Sequence, residues 1–127
     1  ATILIAEDDH AISDLVAYNL ERAGHTPLAA YDGLTALEVA RRDRPELILL
    51  DQMMPGMDGY EATRAIRLSD KSDAADIPII ALTANAFSED VQAAHDAGMN
   101  AHLAKPLDFD KLKNMLARIR QRGAASL

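Results

Sequence analysis

The chain has 127 residues, 26% of them charged, and a formal net charge of -7. That length is expected to fold as one domain spanning 1–127, and the acidic balance argues against electrostatic binding to nucleic acid or an anionic membrane. With no cysteine, neither a disulfide, a thiolate metal centre nor a cysteine nucleophile is available.

The first strand candidate is Thr2-Ile3-Leu4-Ile5-Ala6, which runs into Glu7-Asp8-Asp9. It is too short for a signal-peptide core and lacks a basic lead-in. No run approaches the ~20 apolar residues of a membrane span, so a cytoplasmic location is expected. From His10 to Ala23, Ile12, Leu15, Val16, Asn19 and Leu20 recur at helical spacing, with Gly24 where a C-terminal cap belongs. Thr26 to Tyr31 reads as a short strand whose Pro27 suits a sheet edge. Asp32-Gly33 is expected to turn, and Leu34 to Arg42 to form a helix stopped near Pro45, with Leu37 and Ala40 inward.

Leu47 to Leu50 is a continuous apolar run, as expected of a strand covered on both faces, and it ends at Asp51. A turn-rich loop from Met54 to Gly59 leads to a helix over Tyr60 to Leu68, with Thr63 and Ile66 inside. Ser69 to Asp76 is polar and reads as a loop. The run from Ile77 to Leu82 is the fourth strand and ends at Thr83. Ser88 can cap a helix ending at Gly98. Ala101-His102-Leu103-Ala104 runs into Lys105-Pro106, and Asp108 can cap a last helix carrying Leu112, Met115, Leu116 and Ile119, with a frayed tail from Arg122. Five strands alternating with five helices predict an α/β fold, a parallel sheet with right-handed crossovers and helices on both faces.

In such a sheet ligands bind outside the carboxyl ends of the strands. Glu7, Asp8, Asp51, Thr83 and Lys105 all follow strand candidates there. An acid ending one strand in solvent is commonplace; carboxylates, a hydroxyl and an ammonium at one edge are not. If the first and third strands are neighbours, Glu7, Asp8 and Asp51 converge, and like charges ~4 Å apart repel by about 4 kcal/mol at an effective dielectric near 20. Mg2+ offsets that repulsion and binds through carboxylates, phosphate and water. Asp51 is then a candidate nucleophile, since a carboxylate can accept a phosphoryl group as an acyl phosphate. A cation, the Lys105 ammonium and the Thr83 hydroxyl could each take one phosphoryl oxygen. An X-Pro bond in a tight turn can be cis, so Pro106 can set the direction of Lys105; either isomer is open.

Other residues carry less. His10, His25, His95 and His102 lack metal-ligand spacing. Met53, Met54 and Met57 suit loop packing. Gly56 and Gly59 form no dinucleotide fingerprint, and Arg118, Arg120 and Arg122 suit the solvated end of a helix.

These motifs together resemble the receiver domain of two-component response regulators over essentially the whole chain. The resemblance rests on Glu7-Asp8, on Asp51 followed by Met54-Pro55-Gly56-Met57-Asp58-Gly59, on Thr83-Ala84, and on Lys105-Pro106. It implies a doubly wound, flavodoxin-like sheet of strand order 2-1-3-4-5. It makes Asp51 the phosphoacceptor, Asp8 and Asp51 direct Mg2+ ligands, and the Met53 carbonyl a third, with Glu7 acting on the cation through water. Thr83 and Lys105 correspond to the residues that sense the phosphoryl group. His102 stands where many receivers carry Tyr or Phe, so its coupling to Thr83 is expected to be weaker or pH-sensitive. The stretch around Asp51, together with Ala81–Ala86 and Gly98–Ala101, resembles receivers of hybrid histidine kinases or stand-alone single-domain regulators.

The expected function is a phosphorylation-controlled switch. A sensor histidine kinase or histidine phosphotransfer protein donates the phosphoryl group, and the modified domain changes its affinity for a downstream protein, with a phosphorylation-dependent dimer as one output. No external substrate, nucleic acid or membrane is expected. One alternative is a haloacid-dehalogenase-type phosphatase with Asp51 as nucleophile, but such enzymes place a second Asp where this chain has Met53. Another is a docking module that is never phosphorylated, against which the complete acidic set speaks.

Overall fold

Consecutive apolar residues are what a strand covered on both faces requires, and the apolar runs of this chain pair side by side. The structure, a computed structural model, describes residues 2–51, 59–68, 77–83, 92, 96–104 and 108–126. Strands β1 (Thr2–Ala6), β2 (Thr26–Ala30), β3 (Leu47–Asp51), β4 (Ile79–Thr83) and β5 (Ala101–Ala104) form one sheet of order β2-β1-β3-β4-β5. Every pairing is parallel. This is the flavodoxin-like order that the resemblance implied.

Alternation along each strand divides the core between two faces. Ile3, Ile5, Leu47, Leu49, Ile80, Leu82 and Leu103 pack with Val16 and Leu20 of α1 (His10–Arg22) and with Leu112 and Leu116 of the final helix, α4 (Phe109–Ser126). Leu4, Ala6, Ile48, Leu50, Ile79 and Ala81 pack with Ala36, Val39 and Ala40 of α2 (Gly33–Asp43) and with Ala62 and Ile66 of α3 (Gly59–Arg67). Each fully buried Leu or Ile contributes about 1.5–3 kcal/mol relative to exposure. Among the described residues no helix is long and apolar enough to cross a membrane.

Three aspartates start helices. Asp9 Oδ1 accepts from the amides of Ala11 and Ile12 at 2.9 and 3.2 Å. Asp32 Oδ1 accepts from the Thr35 amide at 2.7 Å and Oδ2 from its hydroxyl at 3.1 Å. Asp108 Oδ1 accepts from the amides of Asp110 and Lys111. These bonds satisfy amides that have no partner within the helix. Asp32-Gly33, expected as a turn, is therefore a cap and a first helical residue. At the other end of α1 the His25 amide reaches Leu20 O and the Gly24 amide reaches Glu21 O, with Gly24 at φ +90. That pairing is a Schellman close, which needs the left-handed backbone glycine adopts easily.

Several boundaries and faces differ from expectation. On α1 the buried residues are Ser13, Val16 and Leu20, whereas Leu15 is 54% exposed. The buried stripe lies beside the one drawn through the apolar residues, and the Ser13 hydroxyl sits in it with no hydrogen-bond partner. Asn19 lies at the margin, its amide donating to Leu15 O at 2.9 Å. β4 begins at Ile79 and not Ile77, and both β3 and β4 include the polar residue that ends them. α4 is helical to Ser126, four residues past the point where fraying is expected to begin. Of the helix expected from Ser88 to Gly98, residues 92, 96 and 97 are described and helical.

At the amino ends of the strands Arg67 joins three segments. Its Nη1 donates to Ile77 O at 2.6 Å, and Nε and Nη2 donate to Gly98 O at 3.1 and 2.8 Å. Nη2 also donates to Asn100 Oδ1 at 2.7 Å, which in turn accepts from the Ile79 amide at 2.9 Å. Hydrogen bonds from a charged donor are the stronger class, and here one guanidinium ties the end of α3 to the starts of β4 and β5.

Arg67→Ala is expected to lower unfolding free energy by about 2–4 kcal/mol in urea titration, because carbonyls lose a charged partner. Removing the Asp32 cap gives a pH-dependent effect. The Thr35 amide, and then its hydroxyl, hold the Asp32 carboxyl below its ordinary value of 3.8. A carboxyl so depressed in the folded state stabilises above the ordinary value and loses that contribution as pH falls through the folded one. Asp32→Ala is expected to cost about 1 kcal/mol at pH 7. In unfolding titrations the gap to the native protein should narrow as pH drops below ~3.8.

Candidate functional site

Register brings the acids together. β1 and β3 pair with Ala6 opposite Leu50, so Glu7 and Asp51 follow at the same level on neighbouring strands. Both continue the alternation of Ile3 and Ile5 and of Leu47 and Leu49, which face α1 and α4. The Glu7 amide donates to Ala30 O of β2 at 3.0 Å, extending the ladder one residue past β1. Asp8 is exposed, and Asp9, the third acid of the run, is turned to capping α1. One carboxylate oxygen from each of Glu7, Asp8 and Asp51 lies within 4.8 Å of the others.

Glu7 and Asp51 are 1% and 3% exposed. Two carboxylates withdrawn from water beside a third are costly. With these oxygens within 4.8 Å of one another, each pair repels by roughly 3 kcal/mol or more at an effective dielectric of about 20. Oxygen ligands of this charge, with one member open to solvent, suit a hard divalent cation that keeps several waters. The residues present therefore fit a Mg2+ ion on the chemistry of the donor set.

Thr83 ends β4 one residue beyond Leu82, which is opposite Asp51, and it is 2% exposed. It alternates with Ile79 and Ala81 and so belongs to the face of α2 and α3. His102 of β5 is opposite Ala81, and Ala104 is opposite Thr83. Thr83 and the half-buried His102 thus share one face of adjacent strands, two residues out of register. Met53, Lys105 and Pro106 lie outside the described residues.

The geometry also contains a contact the sequence did not signal. The ring of His10, the first residue of α1, stacks on Tyr31, the residue after β2. Nothing in the periodicity links positions 21 residues apart. The capping role of Asp9 was readable in principle, since an acid immediately before a helix is a common cap.

In metal-free buffer Asp51→Asn is expected to raise the free energy of unfolding by about 1 kcal/mol, through relief of repulsion with Glu7 and Asp8. Added Mg2+ should raise the thermal midpoint of the native protein and change that of Asp51→Asn much less, because only the intact site binds it in the folded state. Calorimetric scans with and without a chelator measure both effects.

Comparison with known proteins gives the site a context. Residues 3–117 match the response regulator receiver domain family. The chain is 42% identical over 118 residues to the DNA-binding dual master transcriptional regulator RpaA of Synechocystis sp., covering 93% of this chain and 47% of that protein. It spans about half the length of most of the curated relatives it matches. Over 116 residues it is 32% identical to the sporulation initiation phosphotransferase F of Bacillus subtilis, covering 91% of this chain and 90% of that one. Among solved structures, the receiver domain of a sensor histidine kinase of Pseudomonas aeruginosa superposes with a TM-score of 0.83 at 38% identity, over 92% of this chain and 94% of that one. That neighbour has a magnesium ion coordinated in its active site cleft. On fold, family match and relatives alike, the chain belongs to the response regulator receiver domains of two-component signalling.

Proposed function

We propose that Asp51 accepts a phosphoryl group from a phosphohistidine of a sensor histidine kinase or histidine phosphotransfer protein, and that the resulting aspartyl phosphate changes the affinity of the domain for a downstream protein. The observation that carries this reading is the buried Asp51 carboxylate, which shares its edge of the sheet with Glu7 and Asp8 within 4.8 Å. In the transfer an Asp51 carboxylate oxygen bonds to phosphorus as the phosphorus–nitrogen bond of the donor breaks, and the imidazole leaves. Such chemistry depends on positioning and on neutralising phosphoryl charge. Asp8, Asp51 and the Met53 carbonyl would hold Mg2+ directly, with Glu7 acting through water, and the ion when bound supplies charge neutralisation at a phosphoryl oxygen.

The chain's own groups complete the switch. The Thr83 hydroxyl and the Lys105 ammonium each take a phosphoryl oxygen, and Pro106 directs the lysine. Movement of Thr83 toward the phosphoryl group is passed to His102, its neighbour on the same face. The face of β5 and of the helix ending at Gly98 then meets the partner, or a second copy of the chain in a phosphorylation-dependent dimer. With a net charge of -7, the domain itself engages protein and not nucleic acid or membrane. It acts in the cytoplasm, as one receiver unit over 1–127, and assists its own phosphorylation and dephosphorylation without an external substrate.

Incubation with a small-molecule acyl phosphate and Mg2+, followed by intact-mass measurement, tests this. One phosphoryl group should add to the native protein, and none to Asp51→Asn or to chelator-treated protein. No gain on the native protein would end the proposal, and steady release of phosphate from added monoesters would favour the phosphatase.

A further inference from the structure

The first residue of α1 is in face-to-face contact with the residue that leaves β2. The His10 imidazole lies parallel to the Tyr31 ring, with centroids 3.8 Å apart and planes inclined by 8°. The positions of the two residues in the chain give this contact its reach. His10 is two residues beyond Asp8 and directly follows Asp9, the cap of α1. Tyr31 follows Ala30, whose carbonyl accepts the Glu7 amide, and precedes Asp32, the cap of α2. Because α1 and α2 cover opposite faces of the sheet, the stacked rings span the carboxyl ends of β1 and β2. The Glu7-Asp8-Asp9 segment is thereby restrained by the Glu7 amide bond, the Asp9 cap and the ring stack.

That segment carries two of the three carboxylates that repel one another. On the reading of the acidic edge as a cation site, we infer that the His10–Tyr31 stack is a positioning element for the cation: it holds the Glu7–Asp8 segment in place against the repulsion of its own acids. A site formed in only a fraction of molecules binds with an affinity reduced by that fraction. The contribution of one aromatic pair corresponds to about a 2- to 10-fold change in such an equilibrium. His10 is exposed and Tyr31 is 37% exposed, so neither belongs to the buried core and replacing either leaves that core intact.

The test is a Mg2+ titration followed by amide NMR shifts at Leu50 and Asp51, on native protein, Tyr31→Leu, Tyr31→Phe and His10→Ala, with the metal-free thermal midpoint of each. Tyr31→Leu and His10→Ala should each weaken Mg2+ binding about 2- to 10-fold. A double variant combining His10→Ala with Tyr31→Leu should lose no more than either single one, and Tyr31→Phe, which keeps the ring, should bind as the native protein does. Undiminished affinity in Tyr31→Leu, or an equal loss in Tyr31→Phe, overturns the inference while leaving the cation site standing. Native protein that binds no Mg2+ overturns both.

Discussion

The repulsion among three carboxylates at the carboxyl edge of the sheet is the constraint to which the rest of the molecule answers. Glu7, Asp8 and Asp51 would separate if they were free to do so. They stay within 4.8 Å because two of them extend neighbouring parallel strands whose register is set by buried aliphatic side chains. A one-residue slip of β3 against β1 would turn Leu49 and Asp51 to the wrong face and disperse the acids. The apolar core is thus the source of the local charge density, and that density makes a hard divalent cation a suitable occupant.

The remaining acids show how the same residue type is given different work by its place. Asp9, one position after a member of the cluster, satisfies amides of α1; Asp32 does the same for α2. A carboxylate at a helix start meets unpaired N–H groups and the positive end of the helix dipole, whereas one at the end of a buried strand meets other carboxylates. The sheet is stiffened at its opposite edge by a cation, Arg67, bridging α3 to the starts of β4 and β5. One edge therefore carries the clustered acids, and the other a guanidinium cross-link between α3 and the starts of β4 and β5.

Membership of the receiver family places this arrangement in a signalling module. Most of the curated relatives it matches are about twice as long as the matched segment, whereas the sporulation phosphotransferase is matched over 90% of its length. Thr83 and His102 lie on one face of adjacent strands, two residues out of register. An imidazole at that position offers hydrogen bonding where an aromatic hydrocarbon ring offers bulk.

The amino-acid sequence by itself determined the fold class, the five strands and the acidic edge. Buried parallel strands read as unbroken apolar runs, and the polar residue that ends each run is local information. Strand order came from the family resemblance and not from periodicity, since crossovers of this kind leave several orders open. Which face of α1 is buried was decided only by tertiary packing, because a helical stripe read from apolar spacing is uncertain by one residue; Leu15 turned outward and Ser13 inward. The left-handed close of α2 at Arg44, where no glycine signals it, and the acceptors of Arg67 were likewise decided in three dimensions. So was the pairing of His10 with Tyr31. The acceptors of Arg67 and the ring pair depend on groups distant in the chain meeting in the fold, and no local pattern records a meeting of that kind.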